Sequence, residues 1–144
     1  MNLVERLDRG PVICAEGYLF AMERRGYLQA GAFVPEVVLE NPEVVTQLHR
    51  EFIRSGSDVV QAFTYYAHRD KMRIINKENL IERLQKEALN LAKKAAAEFS
   101  DHNLLVCGDV SNTNIYDPQD KNSLIECQKM FEEQVGWAKD AGVD

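Results

Sequence analysis

The 144-residue sequence has few features of a membrane, secreted or nucleic-acid-binding protein. No apolar run approaches the ~18 residues that a membrane span needs. Glu5, Arg6 and Asp8 place charge in the first residues, unlike a secretory signal peptide. Acidic residues outnumber basic ones by 23 to 17, and a net charge of −6 disfavours binding to phosphate backbones. We therefore expect a cytoplasmic protein with neither membrane nor nucleic acid as a partner.

The sequence also lacks the common motifs of metal, nucleotide and hydrolase sites. Its three cysteines, Cys14, Cys107 and Cys127, are widely spaced, which predicts neither a disulfide framework nor a C-x-x-C metal site. We expect them to be small buried apolar residues. The three histidines show no metal-ligand spacing, and no G-x-G-x-x-G, P-loop or G-x-S-x-G sequence occurs. Dinucleotide, nucleoside-triphosphate and serine-hydrolase functions therefore have no sequence support.

Three nearly continuous apolar segments are present: "PVICAEG" at 11–17, "SDVVQAFTYY" at 57–66 and "NLLVCGDVS" at 103–111. Continuous rather than alternating apolar residues are typical of strands that are covered by helices on both faces. Amphipathic helical patterns follow each segment. The sequence therefore predicts one α/β domain over residues 1–144 with a parallel sheet.

Punctuation residues predict where the helices begin and end. Asn41 and Pro42 form an N-cap and a first helical residue, while Asn76 opens a longer helix. Ser123, followed three residues later by Glu126, has the spacing of a capping box for a last helix. "WAKDAGVD" at 137–144 then reads as a helix end at Gly142, followed by the first residues of a strand.

Candidate functional residues follow the predicted strands, where parallel α/β proteins bind ligands. Glu16 comes directly after the first segment; it either holds a substrate ammonium group or caps a helix beginning near Tyr18. Aromatic residues lie in the second half of the second segment and also occur in the long connection before it. They form either an aromatic box for a cation or part of the core. These aromatic residues are Phe33, Phe63, Tyr65 and Tyr66.

Several motifs resemble those of a known enzyme family. Residues 5–71, with "QLHREF" and "QAFTYYA" in order, resemble the N-terminal region of betaine-homocysteine S-methyltransferases, within the homocysteine S-methyltransferase family. "LLVCGDVSNTNIY" at 104–116 is similar to the third-strand motif of the family. The resemblance implies a TIM (β/α)8 barrel, of which this chain holds the first three βα units, truncated before strand four.

The resemblance also implies a reaction. In the family, zinc held by three cysteines binds the homocysteine sulfur, and the thiolate attacks a methyl group of glycine betaine or a related onium donor, giving methionine. Those cysteines come from later strands, so we expect no catalytic residue and no metal ligand in this chain. Homocysteine, the methyl donor and a further copy of the chain are the implied partners. The alternative is a non-catalytic partial barrel that binds a ligand or another protein.

The family motifs assign substrate-binding roles to particular residues. The usual Asp-Gly-Gly, which holds the amino-acid end of homocysteine, aligns with Ala15, Glu16 and Gly17, so the acid is displaced by one position. A Trp of the donor pocket is replaced by Phe33, and Tyr66 matches a Tyr of that pocket. The implied substrate-binding set is Glu16, Gly17, Phe33, Tyr65, Tyr66, Asp109 and Ser111. Asp109 replaces a usual Gly, and its carboxylate either favours a different cationic donor or caps a turn.

Overall fold

The fold is an α/β arrangement in which helices pack on a small parallel sheet, as seen in a computed structural model. The structure describes residues 1–29, 31 and 34–144, so Phe33 lies outside the described residues. The helices are α1 (Leu3–Leu7), α2 (Tyr18–Arg24), α3 (Val37–Glu40), α4 (Pro42–Arg54), α5 (Arg69–Ile74), α6 (Ile81–Ala97) and α7 (Lys121–Ala141). Strand β1 is Val59–Gln61 and strand β2 is Leu105–Cys107. Short 3₁₀ turns at Val34–Glu36 and Glu78–Leu80 precede α3 and α6.

The parallel pairing predicted from the sequence is confirmed for two of the three segments. Strands β1 and β2 pair in parallel, with Val60 opposite Val106. The segment 11–17 contributes only one parallel bridge, from Cys14 to Val59, rather than a strand. Pro11 brings no N–H to this segment, and Gly17, with φ of 83°, already turns the chain into α2. Two backbone hydrogen bonds flank the bridge, from the Val59 N–H to the Ile13 oxygen at 3.1 Å and from the Ala15 N–H to the Val59 oxygen at 3.0 Å.

Helix α4 begins at Pro42 as predicted, but the other two predicted helix starts are wrong in detail. Asn76 has φ of 56° and lies between α5 and the 3₁₀ turn before α6. Asparagine tolerates this left-handed conformation, which a continuous helix excludes. The predicted capping box is also absent. The Asp120 carboxylate accepts the Asn122 N–H at 2.9 Å, whereas the Ser123 hydroxyl donates to backbone oxygens.

The core lies between the sheet and the helices α4 and α6. Helix α6 contacts α4, α7 and both strands, because its apolar face is continuous along the helix. Val60 and Val106 project into this core from the strands. The largest fully buried side chains are Met22, Val34, Val37, Val38, Val45, His49, Val60, His68, Met72, Ile81, Leu84 and Leu89.

The opposite face of the sheet is less covered. Cys14 is exposed and Cys107 is half-buried, so the prediction of buried cysteines is wrong for Cys14 and holds for Cys127. The physical reason is the alternation of side chains along an extended chain. Ala15 takes the helix-facing position, with 1% of its surface exposed, and Cys14 is left on the other face.

Aspartates align the amino ends of the strands. The Asp58 carboxylate accepts the Ile13 N–H at 2.9 Å, and the Asp144 carboxylate accepts the Val106 N–H at the same distance. The Asp144 N–H in turn donates to the Val106 oxygen. Gly142 ends α7 with φ of 65°, as predicted. Within the described part of the chain, no helix is both long and apolar enough to cross a membrane.

Candidate functional site

A cavity of about 270 Å³ lies at the carboxyl ends of the sheet. The bridge segment, β1 and β2 all end here, and the first turn of α2 closes one side. Its lining combines two carboxylates and an amide with aromatic and apolar side chains. The lining residues are Glu16, Gly17, Tyr18, Leu19, Phe20, Gln61, Ala62, Phe63, Tyr65 and Asp109.

Glu16 reaches the cavity because the regular pairing of its segment ends just before it. The Ala15 N–H donates to the Val59 oxygen at 3.0 Å, and Gly17 then adopts φ of 83°. An acid at position 15 would point toward the helices, whereas Glu16 is exposed and lines the cavity. Gly17 is the N-cap residue of α2, and no side-chain hydrogen bond caps this helix. Glu16 therefore lies both at the cavity and next to the N-terminus of α2, which are the positions of its two predicted roles.

Asp109 lines the same cavity as Glu16. Burial raises the pKa of the Asp109 carboxyl, a hydrogen bond from Gln61 lowers it, and the nearby Glu16 charge raises it again. Gln61 was missed by the sequence analysis, because a glutamine in an apolar strand segment gives no signal of its own. It also lies 3.8 Å from the Cys14 sulfur, measured from its side-chain oxygen.

Hydroxyl groups hold the loops after β1 and β2 together. The Thr64 hydroxyl donates to the backbone oxygen of Asp109 at 2.6 Å. The Ser111 hydroxyl donates to the backbone oxygen of Thr64 and accepts the backbone N–H of Tyr66, each at 2.9 Å. The Ser111 N–H donates to the Gln134 side chain in α7. Ser111 is buried and does not line the cavity, so its contacts in the structure are those of a residue that positions the loops.

The aromatic residues after β1 separate into a core residue and a stacked pair. Phe63 is buried, and its ring centroid lies 6.0 Å from that of Tyr18. Tyr65 and Tyr66 are half-buried and stack at 4.2 Å between centroids. A hydrogen bond between their hydroxyls raises the pKa of Tyr65. Tyr65 lines the cavity, whereas Tyr66 is not one of its lining residues. The backbone of Tyr66 has φ of 63°.

A buried tyrosine–histidine pair supports the wall of the cavity. The Tyr18 hydroxyl lies 2.8 Å from Nδ1 of His49, which has no exposed surface. Burial lowers the pKa of His49 to about 4, so its imidazole is neutral at pH 7. Burial also raises the pKa of Tyr18. The pair therefore contributes fixed dipoles rather than charges behind the cavity.

Two thiols stand beside the carboxylates. Burial raises the pKa of Cys14 and raises that of Cys107 to about 12, and the two side chains are hydrogen-bonded to each other. Cys127 is in α7. Across the described residues, no group of three or more His, Cys, Asp or Glu side chains is arranged to hold a metal.

Comparison with known proteins identifies the family. The family model described as homocysteine S-methyltransferase matches residues 17–144, which is most of the chain. The chain therefore belongs to the homocysteine S-methyltransferase family. The resemblance noted in the sequence is confirmed at this level, and the matched range begins at Gly17 in the cavity.

Individual relatives agree with this assignment. The betaine–homocysteine S-methyltransferases 1 of Mus musculus, Bos taurus and Danio rerio are 39%, 40% and 41% identical to the chain. Each alignment covers 93% of this chain and 33% of the relative, so the chain spans about a third of their length. The metallated form of the homocysteine methyltransferase MmuM from Escherichia coli matches with a TM-score of 0.78 at 24% identity. That alignment covers 99% of this chain and 55% of the other, and it shows a shared fold.

Proposed function

We propose that the chain is the substrate-binding part of a homocysteine S-methyltransferase that methylates homocysteine with glycine betaine or a related onium donor. Residues 1–144 would form one domain and supply the first three βα units of a TIM barrel. The single observation that carries the proposal is the cavity lined by both Glu16 and Asp109, in a chain of this family. Both substrates carry a positive charge that two carboxylates attract.

The electrostatics of the cavity favour a cation. Burial raises the cost of ionising Asp109, and the nearby Glu16 charge raises it further. A cationic group between the carboxylates would offset both effects, so the ligand and the ionised form of Asp109 stabilise each other. A cavity of about 270 Å³ is at the small end of ligand sites, which suits a small metabolite.

Each predicted binding residue has a place in this proposal. Glu16 and the Gly17 backbone bind the ammonium group of homocysteine, and Tyr65 contributes a ring face toward an onium donor. Asp109 adds the charge that sets the preference among cationic donors. Tyr66 stacks on Tyr65 in the same donor pocket, Ser111 holds the Tyr66 backbone, and Phe33 is assigned to that pocket from the family motif alone.

The chemical step consists of one bond formed and one broken. The homocysteine sulfur attacks a methyl carbon of the donor, and the C–N bond of betaine breaks with its electron pair leaving on nitrogen as dimethylglycine. The thiol proton passes to solvent. Zinc, when bound in such an enzyme, lowers the pKa of that thiol. Among the described residues, no group of three or more His, Cys, Asp or Glu side chains is arranged to hold a metal, so we infer that its ligands lie in the part of the relatives' length that this chain does not span.

A second function is favoured by the face of the sheet on which Cys14 is exposed. A partial barrel with this surface would act without turnover, as a ligand-binding or interaction module. Homocysteine methylation distinguishes the two. Methionine formation is measured by mass spectrometry with the 144-residue chain, glycine betaine, homocysteine and zinc. Activity of this chain would contradict our inference that further metal ligands are needed.

The binding role is tested by calorimetric titration of glycine betaine and of homocysteine into the chain. We expect Glu16→Gln and Asp109→Asn each to weaken binding of at least one ligand by roughly tenfold, the effect of losing one charged contact. Glu43→Gln is the matched control, since Glu43 is exposed in α4 and distant in sequence from the cavity residues. Equal affinities for all four proteins would contradict the proposed site.

A further inference from the structure

The ring of Tyr66 already has a cation on its surface. The Lys71 ammonium nitrogen lies 4.5 Å from the centroid of the Tyr66 ring, within the distance at which a ring quadrupole attracts a cation. Tyr65 stacks on the same tyrosine at 4.2 Å. The aromatic group that the family motif assigns to the donor is therefore in contact with two side chains of this chain.

Hydrogen bonds on both sides of Tyr66 hold its backbone conformation. Its φ of 63° is uncommon for a non-glycine residue, and such conformations persist only where neighbouring contacts hold them. The Ser111 hydroxyl accepts the backbone N–H of Tyr66 at 2.9 Å, and the backbone oxygen of Tyr66 accepts the backbone N–H of His68 at 2.9 Å. These bonds fix the backbone on both sides of the ring.

Lys71 is held in place from its own helix. It lies in the first turn of α5, where Nδ1 of His68 caps the helix and accepts the Lys71 N–H at 3.5 Å. Among the described residues, no carboxylate forms a salt bridge with the Lys71 ammonium. The neighbouring Arg69, by contrast, pairs with Glu133 and Glu78. The ring is thus the partner that the structure gives to Lys71.

We propose that Lys71 is a built-in competitor for the aromatic site, which occupies the Tyr66 ring until an external onium ion displaces it. The proposal deepens the proposed function, because it rests on an onium donor binding beside Tyr65 and Tyr66. Its consequence is selectivity: a cation binds here only if it gains more from the Tyr66 ring and its surroundings than the tethered ammonium does. Lys71 is in this sense a specificity-determining residue and not a catalytic one.

The test uses tetramethylammonium as the probe, titrated into the full chain and followed by NMR of the tyrosine ring protons. We expect Lys71→Met to bind the probe about two- to fivefold more tightly than the unsubstituted chain, which is the factor that one exposed cation–π contact represents. Lys94→Met is the matched control, since Lys94 is exposed in α6 and its loss changes the net charge equally. Tyr66→Asn, which tolerates the left-handed conformation, should lose the gain produced by Lys71→Met.

Each outcome decides the proposal. Tighter binding in Lys71→Met, but not in Lys94→Met, supports it. In the unsubstituted chain, the Lys71 side-chain protons should show an upfield shift that the probe abolishes. Equal or weaker binding than in Lys94→Met overturns it, as does an absence of probe binding in every variant. Failure of the proposed function is a different result. If the chain shows the Lys71 effect but binds no homocysteine, the role of Lys71 stands and the proposed substrate-binding function is contradicted.

Discussion

At the scale of single residues, buried polar groups determine the shape of the site. Ser111, Thr64 and His49 are buried, and none of them carries a charge that marks it as functional in the sequence. Their hydrogen bonds place Tyr66, the Asp109 loop and Tyr18. The carboxylates and rings that face the ligand therefore depend on a layer of neutral residues behind them.

The hydroxyl of Ser111 should matter for stability as much as for binding. Ser111→Ala removes a bond to the Thr64 oxygen and another from the Tyr66 N–H, and it leaves both backbone groups without that partner. We expect the free energy of unfolding to fall by about 1–3 kcal/mol in urea titration. Ser100→Ala, at an exposed position, is the control. A loss below about 0.5 kcal/mol would show that the two loops are held by other contacts.

His49 should make the protein sensitive to mild acid. Its pKa is lowered to about 4 in the folded protein against 6.5 in the unfolded chain, so the unfolded chain binds the proton more readily between these values. Stability is complete above pH 6.5 and falls as the pH drops toward 4, by about 3 kcal/mol at ~1.4 kcal/mol per pKa unit. The measurement is the free energy of unfolding at pH 7 and 4.5.

His49→Gln isolates this effect, because the pKa of His68 is also lowered by burial and acts in the same direction in both proteins. Gln retains a polar partner for the Tyr18 hydroxyl. The substituted protein should lose less stability between pH 7 and 4.5 than the unsubstituted one. Identical pH dependence in the two proteins would mean that His49 does not stay neutral in the folded state.

At the scale of elements, the start of α7 distinguishes the sequence pattern from the structure. Ser123 and Glu126 have the spacing of a capping box, yet Asp120 is the N-cap and Ser123 belongs to the first turn. The reason is that the loop from 117 to 120 folds back, so the Ser123 hydroxyl is used by the backbone of Asp117. The spacing of residues along the chain does not reveal whether Asp120 or Ser123 accepts the free backbone N–H groups at the start of α7.

Asp120→Ala should therefore destabilise the protein by about 1 kcal/mol, the usual effect of removing an N-cap side chain. Thermal unfolding followed by circular dichroism measures the change. Asp140→Ala, an exposed acid near the other end of α7, is the control, since removing an acid there favours the helix dipole. If Asp140→Ala costs as much as Asp120→Ala, the N-cap assignment is wrong.

At the scale of the whole molecule, one side of the sheet is covered more fully than the other. Helices α4 and α6 bury the face that carries Val60 and Val106, whereas Cys14 and Ile13 remain exposed. A second apolar surface, the α7 groove, is lined by Asn112, Thr113, Tyr116, Leu124, Cys127, Gln128, Phe131, Glu132 and Val135. Exposed strands and apolar patches of this kind favour association.

We expect the 144-residue chain to self-associate at micromolar concentration, measured by size-exclusion chromatography with light scattering. Val135→Lys, which places a charge in the α7 groove, should shift the chain toward monomer. Ile74→Lys, at a position that is 62% exposed in α5, provides the control. A single monomeric species at every concentration would show that neither surface drives association.

The sequence by itself determined the family, the α/β class, the parallel pairing of two segments and the position of Glu16 and Asp109 after strands. These follow from local patterns: apolar runs, turn residues and motifs are properties of neighbouring residues along the chain. Only the tertiary structure decided that Glu16 faces a cavity, that Gln61 bonds to Asp109, that Ser111 is a support and that Lys71 covers the Tyr66 ring. Those features depend on which side chains meet across strands and loops, and such contacts join residues that no local pattern relates.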